Sequence, residues 1–120
     1  MAAAGTATAY AGSALAKQRA KAPAGQKSVM GLIAPKLDTV RVGFIGVGER
    51  GINHVDAMCV IDGVEIKAIC DTHQAVVERA VGAVVKAGLP KPDTYSAHDH
   101  SYRDMLSRDD IDLVIISTPW

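Results

Sequence analysis

A chain of 120 residues is long enough for one small domain, and a composition with 48% hydrophobic but only 4% aromatic residues suits a core of alanine, valine and isoleucine. Residues 1–37 contain five basic residues and no acidic one, whereas residues 38–120 contain eight basic and thirteen acidic residues. This negative balance in the larger part argues against nucleic-acid binding. Two cysteines are too few for a disulfide framework, and no Cys-x-x-Cys or His-Glu-x-x-His pattern indicates a metal site.

Residues 1–39 are predicted to form a signal-like leader and a linker rather than part of the folded domain. Residues 1–16 are uncharged and end in Ala14-Leu15-Ala16, which resembles the cleavage site of an export signal whose basic n-region is missing. A disordered alanine-rich tail is the alternative. An export signal would direct the protein to the periplasm, and a simple tail would leave it in the cytoplasm. The segment is too short and too weakly apolar to cross a membrane.

A strand, a glycine turn and a helix start are predicted between Val40 and Gly51. The run from Val40 to Ile45 is largely apolar, and Gly46, Gly48 and Gly51 form the pattern Gly-x-Gly-x-x-Gly. In a dinucleotide-binding turn the first glycine permits a tight turn, the second lets a diphosphate approach the backbone, and the third lets the helix pack against the strand. The free amides and the positive dipole end of that helix then face the phosphates.

A second predicted strand, residues 64–70, supports this interpretation because it ends at Asp71, twenty residues after Gly51. An acid at that place accepts hydrogen bonds from both hydroxyls of an adenosine ribose and repels a 2′-phosphate. We therefore predict that residues 40–120 are the N-terminal part of an NAD-binding domain that prefers NAD to NADP. The alternative is a glycine-rich turn in an ordinary α/β protein, with Asp71 capping a helix.

Helical periodicity is expected in two segments. The first segment follows the glycine turn and carries one apolar stripe, formed by Ile52, Val55, Met58 and Cys59. The second segment follows Asp71, where Thr72 can cap a helix that stops near Gly88 and Pro90.

The last part of the chain predicts two further strands and a third helix. Thr94-Tyr95 is a short third strand, and residues 111–116 form a fourth strand that is apolar enough to be covered on both faces. Between them, Ser101-x-x-Asp104 resembles a capping box that opens a helix. The residues of this helix that are expected to face inward are Tyr102, Met105 and Leu106.

These elements predict an α/β fold, a Rossmann-type doubly wound parallel sheet with strand order 3-2-1-4. Strands one and four are then neighbours, and ligands of such sheets bind in the crevice at the carboxyl ends of the strands. Trp120 directly follows strand four, so we expect it beside the cofactor; a core position at the strand end is the alternative. Because so apolar a strand is unsuited to a sheet edge, we expect an incomplete sheet and a longer parent enzyme.

The segment from Val40 to Trp120 resembles the glucose–fructose oxidoreductase and inositol dehydrogenase superfamily. Within it, the segment is most similar to the NAD-dependent glycosidases of glycoside hydrolase family 109, the α-N-acetylgalactosaminidase group. The resemblance rests on residues 42–51, on residues 69–71 and on residues 111–120.

This resemblance implies that Glu49 and Arg50 contact the cofactor and that Asp71 binds its ribose. It also implies that Trp120 begins a Trp-x-x-His motif, and that the catalytic tyrosine and histidine belong to a C-terminal domain, so no catalytic residue is identified in this chain. The predicted cofactor-binding residues are therefore Gly46, Gly48, Glu49, Arg50, Gly51, Asp71 and Trp120.

The resemblance also implies an activity for the parent enzyme and a glycoside as its substrate. Members of this family are thought to use NAD as a recycled catalyst: C3 of the sugar is oxidised, the group at C1 is eliminated, water adds and the hydride returns. Two alternatives remain open, an NAD-dependent sugar or cyclitol dehydrogenase of the same superfamily and a non-catalytic nucleotide-binding remnant. Assembly into a homo-oligomer is also left open.

Overall fold

The structure, a computed structural model, describes residues 35–119. The predicted export signal and most of the predicted linker lie outside the described residues, as does Trp120, so the expectations for them and for the domain boundaries stay predictions. In the described part of the chain, no helix has both the length and the apolar character needed to cross a membrane.

Strands and helices alternate along residues 35–119. The strands are β1 (Val40–Ile45), β2 (Val64–Cys70), β3 (Asp93–Tyr95) and β4 (Leu113–Ile116). The helices are α1 (Glu49–Met58), α2 (Gln74–Lys86) and α3 (Ser101–Leu106). The described strands form one parallel sheet with the order β3-β2-β1-β4, so the predicted fold class and strand order are confirmed.

Hydrophobic side chains pack on both faces of the sheet because successive residues of a strand point to opposite sides. On one face, Val42 and Phe44 of β1 belong to a buried cluster with residues of α1 and α2, which are Val55, Val77, Ala80 and Val84. A second cluster joins Met105 of α3 to Ala68 and Cys70 of β2. The two helix layers hold the carboxyl ends of the strands in fixed positions at one edge of the sheet.

Two predictions of helix caps are wrong. Thr72 was expected to cap α2, but the helix begins at Gln74 with His73 as its N-cap, and no side chain of residues 35–119 caps it. The Thr72 hydroxyl lies 3.1 Å from Nδ1 of His73 instead. Ser101 is the first residue of α3 rather than its N-cap. Its hydroxyl accepts a hydrogen bond from the His98 amide, at 3.0 Å, and so turns back toward the preceding loop.

Two predictions of burial are also wrong. Leu106 was expected to face inward but is 49% exposed, because the six-residue α3 presents only one side to the sheet, where Met105 is buried. The fourth strand is shorter than residues 111–116, and its Ile116 is 66% exposed. Among the described strands β4 pairs only with β1, so its other edge has no backbone partner.

A bidentate ion pair fixes the start of β4 against β1. The guanidinium of Arg41 donates to both carboxylate oxygens of Asp112, with Nε–Oδ2 at 2.9 Å and Nη2–Oδ1 at 2.7 Å. The backbone amide of Arg41 donates to Oδ2 as well, at 2.9 Å. These hydrogen bonds favour the ionised carboxylate and lower the pKa of Asp112 to about 2.

We therefore expect Asp112 to make the stability of the protein depend on pH in the acid range. Because its pKa is lower in the folded chain than in the unfolded chain, its contribution is complete above about pH 4 and is lost as the pH falls toward 2. The difference in unfolding free energy between the wild type and Asp112→Asn, measured by urea titration of the full-length protein, should shrink from pH 5 to pH 2. A difference that stays constant over this range would contradict the assignment. The matched control is Asp109→Asn, since Asp109 is exposed and has no ion pair within residues 35–119.

Candidate functional site

A cleft of about 700 Å³ opens at the carboxyl edge of the sheet. The backbone there is held by hydrogen bonds from Gly46 N to Cys70 O at 2.8 Å and from Ser117 N to Ile45 O at 2.8 Å. The loops that follow all four described strands contribute to its walls. The lining residues are Ile45, Gly46, Gly48, Glu49, Arg50, Cys70, Asp71, Thr72, His73, Val76, His98, Asp99, Tyr102, Ser117, Thr118 and Pro119.

Two glycines of the turn after β1 are required by the protein's own packing. Gly46 has a φ of +83°, which favours glycine, and a Cβ there would lie 2.9 Å from the carbonyl carbon of Ser117. A Cβ on Gly51 would lie 2.1 Å from the carbonyl oxygen of Gly46, a distance that no side chain tolerates. Gly51 therefore allows the first turn of α1 to pack directly against the end of β1, as predicted from its spacing.

Gly48 differs from these two glycines because no atom of residues 35–119 lies within 4 Å of where its Cβ would be. Packing within residues 35–119 therefore does not require glycine at this position. Gly48 lines the cleft and is the N-cap of α1, whose first amides have no partner within the helix. The missing side chain therefore leaves open the approach to a set of amides suited to an anion.

Asp71 lies beside this turn with a side chain that is only 13% exposed. Its Oδ2 accepts the amide hydrogen of Val47 at 2.9 Å, and its Oδ1 accepts that of His73 at 3.0 Å. Each carboxylate oxygen can accept a second hydrogen bond, so capacity for two ribose hydroxyls remains. The carboxylate also lines the cleft, as cofactor binding requires.

Glu49 and Arg50 follow Gly48 at the mouth of the cleft and line it. The Glu49 side chain is 94% exposed, and its Oε1 lies 3.2 Å from Nη1 of Arg79 on α2. Arg50 is exposed in the first turn of α1. The structure thus brings six of the predicted site residues together, all except Trp120, which lies outside the described residues. Their contact with a cofactor stays a prediction.

Sequence reasoning missed the wall that the loop between β3 and α3 supplies. His98 and Asp99 of this loop line the cleft together with Tyr102. Nδ1 of His98 accepts the His100 amide hydrogen at 3.2 Å. The position of this loop directly after β3 could have predicted its place in the cleft, because the carboxyl ends of parallel strands lie at the same edge of the sheet.

Residues 35–119 give no indication of an activated cysteine or of a metal site in the cleft. Burial raises the pKa of the Cys70 thiol, which disfavours the reactive thiolate. Residues 35–119 contain no group of three His, Cys, Asp or Glu side chains placed to hold a metal ion.

These features fit an adenine dinucleotide. Gly48 leaves space that a Cβ would fill, and the amides at the start of α1 can receive the diphosphate. Asp71 can receive the ribose hydroxyls, and its charge opposes a 2′-phosphate. The residues present therefore fit NAD.

Comparison with known proteins agrees with this geometry. A family model described as the oxidoreductase family, NAD-binding Rossmann fold, matches residues 40–120. The chain is 66% identical over 108 residues to a glycosyl hydrolase family 109 protein of Shewanella baltica, covering 90% of this chain and 24% of that protein. It is also 66% identical over 98 residues to an α-N-acetylgalactosaminidase of Shewanella oneidensis, covering 82% of this chain and 21% of that protein. The chain thus spans about a quarter of the length of these curated relatives.

Solved structures with the same fold include a myo-inositol dehydrogenase from Lactobacillus casei in complex with NAD(H) and myo-inositol. It is 30% identical, with a TM-score of 0.54 over 67% of this chain and 22% of that one. A myo-inositol 2-dehydrogenase from Lactobacillus plantarum is 28% identical, with a TM-score of 0.54 over 68% of this chain and 22% of that one. Because the family model covers the whole sheet together with the cleft, the chain belongs to the oxidoreductase family with an NAD-binding Rossmann fold.

Proposed function

We propose that the chain is the nucleotide-binding part of an NAD-dependent glycosidase that hydrolyses α-N-acetylgalactosaminides. The observation that carries the cofactor assignment is the open cradle at Gly48 beside the carboxylate of Asp71. The choice of reaction is supported by 64–68% identity to relatives that are named glycosyl hydrolase family 109 proteins or α-N-acetylgalactosaminidase. The chain spans about a quarter of the length of these relatives, and the proposal assigns it cofactor binding only.

The role of this part of the enzyme is to bind and orient the cofactor. The amides at the start of α1 hold the diphosphate, and Asp71 holds the adenosine ribose. When bound, NAD supplies a hydride acceptor that returns the hydride, which lets a sugar be oxidised transiently at C3 so that the group at C1 can leave. In this proposal Arg50, which lines the cleft, adds positive charge near the diphosphate.

The second candidate is an NAD-dependent sugar or cyclitol dehydrogenase. It is favoured by the fold similarity to two myo-inositol dehydrogenases at 28% and 30% identity. The identity to the glycosidase relatives is more than twice as high, so the glycosidase is the better supported function. In both reactions the cleft at the end of β1 binds the same cofactor.

Replacing Gly48 by alanine tests the cofactor site. In the full-length protein, Gly48→Ala should weaken NAD binding about tenfold or more, because the new Cβ occupies the space through which the diphosphate approaches. Its thermal unfolding should change little, since no atom of residues 35–119 lies within 4 Å of that Cβ. Isothermal titration calorimetry with NAD measures the first effect and circular dichroism the second.

The matched control is Gly82→Ala, because Gly82 of α2 also has open space around its Cβ position but does not line the cleft. This variant should bind NAD as the wild type does and be more stable by about 0.5–1 kcal/mol. Unchanged NAD affinity in Gly48→Ala would contradict the proposed cradle.

The reaction is tested by incubating the full-length protein with an aryl α-N-acetylgalactosaminide. We expect release of the aryl group without added NAD and without accumulation of NADH, because a recycled cofactor undergoes no net change. Gly82→Ala should retain this activity. Accumulation of NADH with free sugars or cyclitols, and no release from any aryl glycoside, would instead establish the dehydrogenase. If neither the aryl group nor NADH is produced, the nucleotide-binding remnant is the function that is left.

Export of the protein is a separate proposal, and it is supported by the uncharged leader that ends in Ala14-Leu15-Ala16. N-terminal sequencing of the mature protein from its source cell should begin at or after Lys17. An N-terminus at residue 1 or 2 would overturn the proposal.

A further inference from the structure

The proposed NAD site contains an acidic residue where a diphosphate is expected. Glu49 is the first residue of α1, directly after Gly48, and it lines the cleft. A carboxylate at a helix N-terminus is attracted to the same free amides and dipole end that would bind phosphate. A Glu49 side chain turned into the cleft would therefore compete with the diphosphate and repel it.

The charges of the cleft wall make this repulsion significant. The lining residues include three carboxylates, those of Glu49, Asp71 and Asp99. Among the lining residues, Arg50 is the single lysine or arginine. Asp71 is needed for the ribose. Glu49 lies at the start of α1, where the diphosphate is expected, so its charge is the one that opposes diphosphate binding most.

Arg79 provides another partner for this acid. Its Nη1 lies 3.2 Å from Oε1 of Glu49, and Arg79 itself does not line the cleft. Helices α1 and α2 are held side by side by their buried valines, Val55 and Val77. The position of Arg79 relative to the start of α1 is therefore set by the core, and its guanidinium can hold Glu49 on the α2 side of the turn.

We propose that Arg79 is a positioning residue of the NAD site, which holds the Glu49 side chain away from the diphosphate and compensates its charge. This inference rests on the proposed function, since it concerns the cofactor of that site. It assigns Glu49 a contribution through its backbone amide at the helix start, while its side chain is bound to Arg79. Arg79 acts through Glu49 and touches neither the cofactor nor the substrate.

The test is a double-mutant cycle on NAD binding to the nucleotide-free, full-length protein. Arg79→Ala should weaken NAD binding about three- to fivefold, as expected for an exposed charge pair. In a Glu49→Gln background the same change should have no further effect, because the charge that Arg79 compensates is gone. The loss should shrink in 0.5 M salt, where exposed charges are screened over about 4 Å.

Adenosine serves as a probe without phosphate. Arg79→Ala should leave adenosine binding unchanged, because adenosine carries no phosphate for Glu49 to repel. A merely structural role of Arg79 would instead weaken the binding of NAD and of adenosine alike. Lys86→Ala removes a charge from the last turn of the same helix, away from the cleft, and should bind NAD as the wild type does. If Arg79→Ala misfolds by circular dichroism, Arg79→Gln keeps the bulk of the side chain and should show the same selective loss.

Three results would overturn the inference: NAD affinity unchanged in Arg79→Ala, an equal loss in the Glu49→Gln background, or an equal loss of adenosine binding. Each of these leaves the proposed function intact provided that the wild type binds NAD. Failure of the wild-type protein to bind NAD would instead refute the proposed function itself.

Discussion

The carboxylate of Asp71 is the interaction on which the candidate site depends. It accepts the Val47 amide hydrogen from the glycine turn at 2.9 Å and the His73 amide hydrogen before α2 at 3.0 Å. One side chain thus joins the ends of β1 and β2, the two central strands of the described sheet. Each bond uses one acceptor site of a carboxylate oxygen and leaves further acceptor sites for the hydroxyls of a ribose diol. The same group therefore orders the turn and lines the cleft in which the cofactor is expected.

Backbone groups form most of the candidate site, and few side chains take part in it. Gly46 and Gly51 let the turn pack against its neighbours, and Gly48 leaves the helix start accessible. Backbone amides fixed by packing need no reorganisation when an anion arrives. A fold does not determine a reaction, so proteins named as glycosidases and as inositol dehydrogenases can share the fold of this chain.

Much of the fold was predictable because the signals are local. The bounds of β1 and β2 follow from their apolar runs, and the glycine spacing with Asp71 located the cleft. The errors arose because side chains formed hydrogen bonds with other partners than those expected, which a local sequence pattern does not show. The Thr72 hydroxyl pairs with the His73 ring instead of capping α2, and the Ser101 hydroxyl turned to His98. The pairing of Glu49 with Arg79 joins residues thirty positions apart, and only the packing of α1 against α2 brings them together.

The decisive measurement for the cofactor site is a crystal structure of the full-length protein with NAD. We expect the diphosphate within hydrogen-bonding distance of the amides at the start of α1 and over Gly48. Both adenosine ribose hydroxyls should donate to the carboxylate of Asp71, at about 2.5–3.0 Å. A dinucleotide bound away from the end of β1, or an Asp71 side chain turned out of the cleft, would contradict the assignment of this site.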